Sequence, residues 1–185
     1  IVSNAPPVPI LIKSTISIEG WDLIRTEFVK SNLTFSPEFL RAETALEDFA
    51  NTKHFMMGGD DVGLWSGVYI KAMGNISISN ASVAELILTK YARNSFLALK
   101  VAYFNELYDL CDQLEVDFET VRQYTIQDER IGESHTMVTD DRGFGGHCFP
   151  KDTKAFATLG KHCGTPLTIL EQAIQYNIQI RKDNV

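Results

Sequence analysis

Apolar residues fall along this chain in two rhythms. Up to about Ser79 they gather in short runs separated by turn residues. Ile10-Leu11-Ile12, continuing through Lys13-Ser14-Thr15-Ile16, reads as a buried strand, and Leu33-Thr34-Phe35 as a second. The second ends at Ser36-Pro37, which predicts a short helix capped by Ser36 with Pro37 at its first position. His54-Phe55-Met56-Met57 before Gly58-Gly59 reads as a third strand closed by a turn. The spacing of Val62, Trp65, Val68 and Tyr69 predicts a helix over 61–73, and the alternation Ile76-Ser77-Ile78-Ser79 predicts a last strand. Strands interleaved with helical stretches predict part of a parallel α/β sheet.

The second rhythm is helical. Ser82-Val83-Ala84-Glu85 forms a capping box, in which Ser82 and Glu85 satisfy each other's orphan amides. From Leu86 to Leu114 the apolar pattern runs on without a Gly or Pro. This predicts a helix of about thirty residues, well beyond the usual three turns. It is apolar around too much of its circumference to face water alone. Two readings stand side by side here, a core helix and a helix at a subunit interface. Asp117 is placed to cap a short helix, and Thr165-Pro166 to cap a final one through Leu170, Ala173 and Ile174 to Ile180.

Composition narrows the function classes. The chain has 185 residues, with 17 basic against 24 acidic side chains and a formal charge of −7. This balance lacks the basic face that general nucleic-acid binding needs. No run of 18 apolar residues occurs, so no membrane-spanning helix is predicted. Three cysteines, Cys111, Cys148 and Cys163, are too few and too odd for a disulfide framework. They fit free thiols in a reducing compartment such as the cytoplasm. The sequons at Asn32, Asn75 and Asn80 are incidental on that reading. The prolines of Ile1-Val2-Ser3-Asn4-Ala5-Pro6-Pro7-Val8-Pro9 make the start extended, and the chain stops barely past a helical pattern. A segment of a longer protein is expected to look like this.

The richest chemistry lies in Arg142-Gly143-Phe144-Gly145-Gly146-His147-Cys148-Phe149-Pro150-Lys151-Asp152. Three glycines in four residues free the backbone for φ > 0 and for close approach to a ligand, where exposed amides can meet an anion. A helix is predicted from near Asp152 to near Gly160. A thiol beside a helix N-terminus, with a lysine three residues on, is the setting of a nucleophilic cysteine. Asp152, one turn beyond, is placed to orient or deprotonate a water. Alone, a cysteine is more often a small buried hydrophobe; the conjunction with the glycine loop and the charged helix start favours the nucleophile.

The stretch from Gly143 to Asp152 closely resembles the active-site signature of the UDP-glucose/GDP-mannose dehydrogenase family. Lys13-Ser14-Thr15 and Ser36-Pro37-Glu38-Phe39-Leu40-Arg41 resemble the end of that family's cofactor domain. Ala84-Glu85-Leu86, Lys90-Tyr91-Ala92-Arg93-Asn94 and Phe104-Asn105-Glu106-Leu107 resemble its long central helix, and Asp128-Glu129-Arg130-Ile131-Gly132 the segment after it. The blocks keep their order and cover the chain from about Ile10 to Asn177.

The resemblance implies a fold of α/β plus all-α type. Residues 1–80 would be the C-terminal strands of a Rossmann-like, NAD-binding parallel sheet, and 81–185 a helical central domain for dimerisation and catalysis. It implies oxidation of a nucleotide sugar's C6 alcohol to a carboxylate with NAD as cofactor, as in polysaccharide precursor synthesis. Cys148 matches the nucleophile that forms a thiohemiacetal and then a thioester. Asp152 and Thr15 match residues that place water, and Glu38 the general base. Lys90 and Asn94, four apart on one helix face, match the pair that stabilises a developing oxyanion. Substrate contacts are implied for Glu38, Phe39, Leu40, Lys90, Asn94, Phe144 and Gly145. Arg130 matches an arginine that reaches the neighbouring subunit's substrate. Ser14, Thr15, Cys148 and Lys151 fall on the cofactor side, and no residue is implied as a metal ligand. The segment from His135 to Phe144 is most similar to members acting on UDP-glucose. A homodimer through the helix at 82–114 is expected.

The sequence departs from the family at Ala42-Glu43, where an acid precedes glycine in other members, and at Ile16-Ser17-Ile18-Glu19-Gly20, where a Pro-rich turn is usual. No Gly-x-Gly-x-x-Gly occurs, so the loop that cradles a dinucleotide's pyrophosphate is not in this stretch. Two other classes compete. One is a non-catalytic dimerisation module built on the long helix. The other is a metal site from the pairs His147-Cys148 and His162-Cys163, which lack the Cys-x-x-Cys spacing that would support it. Without the family, Lys90 and Asn94 would read as a solvated helix face. Glu38 would read as a first-turn acid and Arg130 as a surface ion-pair partner of its acidic neighbours.

Overall fold

A computed structural model describes residues 8–41 and 44–182. The prolines at 6 and 7 and the pair Ala42-Glu43 lie outside the described residues. The chain forms two compact units, Ile1–Lys90 and Tyr91–Val185, with one long helix running across the boundary.

The first unit is a four-stranded sheet in the order β1-β2-β3-β4, with β1 Ile10–Ile12, β2 Leu33–Phe35, β3 His54–Gly59 and β4 Ser77–Asn80. Helices α1 Ile18–Glu27, α2 Ala45–Asn51 and α3 Val62–Met73 connect them. β1 pairs parallel with β2, and β3 parallel with β4, but β2 and β3 run antiparallel. The expected α/β sheet is thus present, parallel at two of its three pairings and antiparallel at the third. After β2 the chain stays at that strand's carboxyl end. The seven residues of α2 rise only about 10 Å, so β3 starts from the end where β2 finished. Glycine makes the crossing possible. Gly59 has φ +117°, and a Cβ on it would strike the carbonyl of Leu33. A Cβ on Gly58 would likewise strike the carbonyl of Ala81.

Phe55, Met57 and Tyr69 form the core on one side of this sheet, joined by Leu11, Phe49, Trp65 and Ile78. Phe55 and Tyr69 meet edge to face at 4.8 Å, a geometry that suits the ring quadrupoles. Strand β1 stops at Ile12, shorter than expected. The residues after it turn toward α1, whose cap is Ser17 accepting from the Gly20 amide at 3.0 Å. The expected helix at Ser36-Pro37 does not form. The Ser36 amide donates to the Ile12 carbonyl at 2.9 Å, so the sheet pairing continues where a cap would have to turn the chain. The sequence-based expectation includes neither α1 nor α2. Gly20 interrupts the first pattern, and α2 buries no residue completely.

Helix α4, Val83–Gln113, has 31 residues, or about 46 Å. Its capping box is present: the Ser82 amide donates to Glu85 Oε2 at 2.7 Å, and the Glu85 amide to Ser82 Oγ at 3.3 Å. The hydrogen bonds from Ser82 hold the Glu85 carboxyl below its usual range. The second unit adds α5 Phe118–Ile126, α6 Phe149–His162 and α7 Thr168–Ile180. Asp117 caps α5 by accepting from the Thr120 amide at 2.9 Å. Helix α6 starts three residues earlier than expected, because the Asp152 amide already donates to the Cys148 carbonyl at 2.9 Å. Thr165-Pro166 does not start α7. The Thr165 amide closes on the Gly160 carbonyl at 2.8 Å, with Gly164 at φ +72°. This is the left-handed stop of α6, and α7 begins at Thr168. Ala98, Ala102 and Phe144 form the core of this unit, packed with Val101, Phe149, Ala173, Ile174 and Tyr176. Among the described residues no helix is long and apolar enough to cross a membrane.

Two glycines of the first unit should respond in opposite directions. Gly58→Ala forces backbone against backbone and is expected to destabilise by about 1–3 kcal/mol. Gly67, inside α3 with nothing within 4 Å of its Cβ position, should gain about 1 kcal/mol as Ala through helix propensity. Thermal unfolding of the two variants checks both signs.

Candidate active site

The residues implicated by sequence fall into two groups, one in each unit. In the first unit, Lys13 follows β1 and Glu38 follows β2, so both lie past the carboxyl ends of parallel strands. Open α/β sheets take their ligands there. Lys13 Nζ lies 3.1 Å from Glu38 Oε1 and donates to Tyr69 Oη at 2.9 Å. Phe39 and Leu40, half-buried, line a small cavity of about 40 Å³ with Lys13, Pro37, Glu38 and His54. Ser14 is exposed and Thr15 half-buried beside this end of β1. Arg41 donates through its amide, Nε and guanidinium to Asp48 at 2.9, 3.0 and 2.6 Å. These bonds hold the Asp48 carboxyl far below the usual range. A wider groove of about 410 Å³, between α1 and the start of α4, contains none of the implicated residues.

In the second unit, Cys148 is the exposed N-cap residue of α6. Asp152, one turn further in, is completely buried. Both of its oxygens are engaged: Asn94 Nδ2 of α4 donates to Oδ2 at 2.6 Å, and Lys151 Nζ to Oδ1 at 2.8 Å. A buried carboxylate needs such donors to offset its desolvation. Lys90, one turn before Asn94 on α4 and the last residue of the first unit, is also buried. Cys111 is buried, whereas Cys163 is exposed at the far end of α6. The 14 residues of α6 separate the two His-Cys pairs by about 20 Å, too far to share a metal ion.

Phe144 is a core residue, 3% exposed. Gly145 is half-buried, and a Cβ on it would overlap the Arg181 guanidinium. Arg130 is fully displayed and grips Asp128, with its guanidinium 2.5 Å from the carboxylate. This pairing raises the Arg130 pKa and lowers that of Asp128.

The sequence reading assigned no role to the groups that fasten the glycine loop. Asn105 Oδ1 accepts from the Gly143 amide at 3.0 Å and from Arg142 Nε at 2.9 Å. Asn177 Oδ1 accepts from the Phe144 amide at 2.6 Å, and its Nδ2 donates to the Phe144 carbonyl at 3.0 Å. Asp109 accepts from Arg142 and from the Tyr176 hydroxyl, at 2.5 and 2.8 Å. Burial, reinforced by that bond to Asp109, pushes the Tyr176 hydroxyl well above its usual range. The available signal was a polar residue on an apolar helix face, Asn105 on α4 and Asn177 on α7. Nor did the sequence single out Lys13 as the partner of Glu38.

The buried Asp152 makes a direct stability test. Asn94→Ala strips one donor from a charged, desolvated oxygen and should cost about 1–3 kcal/mol in urea unfolding. Asn94→Asp, which sets a second carboxylate against the first, should cost more.

The profile of the UDP-glucose/GDP-mannose dehydrogenase family, central domain, matches residues 82–179. A UDP-glucose 6-dehydrogenase of Rickettsia typhi is 33% identical over 186 residues, covering 95% of this chain and 42% of that protein. One from Bacillus subtilis is 29% identical, covering 91% and 38%. The structure of a UDP-glucose dehydrogenase from Pyrobaculum islandicum superposes with a TM-score of 0.79 at 33% identity, over 92% of this chain and 41% of that one. A UDP-D-ManNAc dehydrogenase of Pyrococcus horikoshii, 19% identical with a TM-score of 0.75, shares the fold. The chain thus spans about two-fifths of the length of these relatives. With more than half of its residues matched by the central-domain profile, this chain belongs to the UDP-glucose/GDP-mannose dehydrogenase family.

Proposed function

We propose that the protein to which this chain belongs oxidises the C6 alcohol of a nucleotide sugar, UDP-glucose by preference, to the carboxylate through a covalent adduct on Cys148. The observation that carries this reading is an exposed thiol at the N-cap of α6, one turn from a buried carboxylate fixed by Asn94 and Lys151. In this reading residues 1–80 are the C-terminal part of an NAD-binding domain and 81–185 the central domain.

The residues present fit the cofactor at one end only. Ser14 and Thr15 lie past a parallel strand's carboxyl end, but the glycine loop for a pyrophosphate is not in this sequence. When bound, NAD takes up the hydride in each of two oxidations. Glu38, held by Lys13, is the base for the substrate hydroxyl. The Cys148 thiolate adds to the aldehyde carbonyl to give a thiohemiacetal, and a thioester forms from it. Asn94 uses one N–H on Asp152 and keeps a second for the developing oxyanion, beside the Lys90 ammonium. Each Asp152 oxygen retains a lone pair after its bond, enough to hold the water that cleaves the thioester; Thr15 assists in placing it.

The protein is further read as a cytoplasmic homodimer built on α4. Phe96, Tyr103 and Leu110, seven residues apart, form an exposed apolar line, 66, 58 and 54% accessible. Large apolar side chains aligned on one helix face are a candidate surface for association. In a dimer the exposed Arg130 would serve the partner's substrate.

In the complete enzyme, Cys148→Ala should abolish uronate formation while leaving nucleotide-sugar binding intact. Asp152→Asn should let an acyl adduct accumulate, visible by mass spectrometry at steady state. Near-parental turnover by Cys148→Ala would remove the covalent route. For the quaternary claim, light scattering of this chain should give twice its 20.7 kDa mass; Phe96→Glu with Tyr103→Glu should return it to the monomer.

A further inference from the structure

We propose that Asn105 and Asn177 are positioning residues for the Cys148 thiol, setting its reactivity through the backbone of the loop that carries it. The proposal rests on the reading of Cys148 as nucleophile and adds what holds that nucleophile in place.

The loop is an arch with two anchored feet. Phe144 before it and Phe149 after it pack into the same cluster, against residues of α4 and α7. Between them Gly145 is half-buried, while Gly146, His147 and Cys148 are exposed. Phe149 is the first residue of α6, so the helix itself fixes the second foot. The first foot has no helix or strand of its own, and its geometry is demanding. Arg142 and Gly143 both lie in the left-handed region, at φ 60° and 55°, where a residue with a side chain is held only by external bonds.

Those bonds come from two amide side chains on two helices. Asn177 brackets Phe144 by accepting from its amide and donating to its carbonyl, at 2.6 and 3.0 Å, as a neighbouring strand would. Asn105 accepts from the Gly143 amide at 3.0 Å. Its orientation is not free to reverse, because its Nδ2 donates to the Val101 carbonyl one turn back at 2.9 Å. Both asparagines are buried, 1% and 7% exposed. At the Asn177 side there is no room for anything larger, since a Cβ on Gly143 would overlap Asn177 Oδ1. Side chains that fix a reacting group from behind are worth much in rate, because small misplacements of the attacking atom are costly.

The three cysteines of this chain supply the test. Cys148 is the reporter, Cys163 an exposed reference, and Cys111 a buried sentinel that is labelled only on unfolding. Iodoacetamide labelling, followed residue by residue by mass spectrometry, gives the ratio of Cys148 to Cys163 rates within one sample. In the parent chain that ratio should be about tenfold or more. Asn177→Ala and Asn105→Leu should each lower it about fivefold while Cys111 stays silent. Asn105→Leu keeps the buried volume and loses the acceptor, whereas Asn105→Asp keeps the acceptor. If packing alone mattered, Leu would be the better replacement. The proposal requires Asp to restore the ratio and Leu not to. Ratios unchanged by Asn177→Ala and Asn105→Leu, or restored by Leu rather than Asp, would overturn it. Should Asn177→Ala expose Cys111, the Leu-against-Asp contrast decides alone. Should both Asn105 variants expose it too, urea titration of Cys148 labelling in the parent decides: loss of the ratio before Cys111 opens supports the proposal, and simultaneous loss overturns it. A parental ratio near one would instead sink the nucleophile reading itself, a separate failure from that of the brackets.

Discussion

A polar group taken out of water must find its partner inside the protein, and that constraint organises the second unit around α4. The helix carries Asn94, Lys100 and Asn105 among its packed residues, and each is satisfied by a different segment. Asn94 reaches Asp152 in α6. Lys100 donates to the carbonyls of Ile131 and Gly132, at 2.6 and 2.8 Å, and its own desolvation lowers its pKa. Asn105 takes the Gly143 amide. Apolar contacts alone would tolerate sliding of these segments along the helix. Directional bonds do not, so the polar residues fix the register that the alanines and phenylalanines merely fill.

The same logic extends to α5. Arg122 is 2% exposed, yet it is bound at both ends. Glu119 takes its Nε and one terminal nitrogen, at 2.8 and 2.7 Å, and Thr136 takes the other at 2.9 Å. The pairing pulls the Glu119 carboxyl down to about 2 and raises the guanidinium pKa further. Because the folded value of Glu119 lies below its ordinary 4.5, this contribution to stability is complete above that pH. It is lost as the pH falls toward 2. Thr136 in turn donates to the Glu133 carbonyl at 2.7 Å, so the segment leading to the glycine loop is tied before the loop begins.

Periodicity made the long elements legible. The helix from the capping box onward, the strand at Leu33–Phe35 and the helix after Asp61 all follow from apolar spacing and caps. Boundaries failed where one residue served an unsuspected partner. Ser36 looks like a cap in sequence but gives its amide to β1; Thr165 looks like a helix start but closes α6. The antiparallel turn from β2 to β3 was illegible because it depends on how far α2 carries the chain, and spacing within strands does not record this. Of the candidate site, the thiol at a helix N-terminus and its acid one turn on were readable as local sequence. That Asn94 meets Asp152, and that Lys13 meets Glu38, are tertiary pairings between residues 58 and 25 positions apart; no local pattern marks them. Nor does local sequence mark Phe144, set among glycines, as the core residue it is, 3% exposed; the hydrophobic effect takes it there.

On the proposed reading of Cys148 as the nucleophile, the division of labour within the loop follows from what a reactive thiol requires. It must be reachable, which excludes burial, and yet held, which ordinarily demands burial. The chain separates the two demands by residue. Phe144 is buried and Phe149 half-buried in one cluster, and they carry the anchoring energy, since fully burying a phenylalanine side chain is worth about 2–3 kcal/mol. The residues between them make no such contribution and are free to project. Gly143 and Gly146 occur where the backbone lies in the left-handed region, at φ 55° and 72°, which glycine enters without the Cβ penalty. Arg142 enters it as well, at φ 60°, and is compensated by Asn105, Asp109 and the Tyr108 ring 4.9 Å from its guanidinium carbon. Strain is thus confined to the foot of the arch, where bonds are dense, and the thiol itself stands at the N-cap of α6, in the right-handed region at φ −87°.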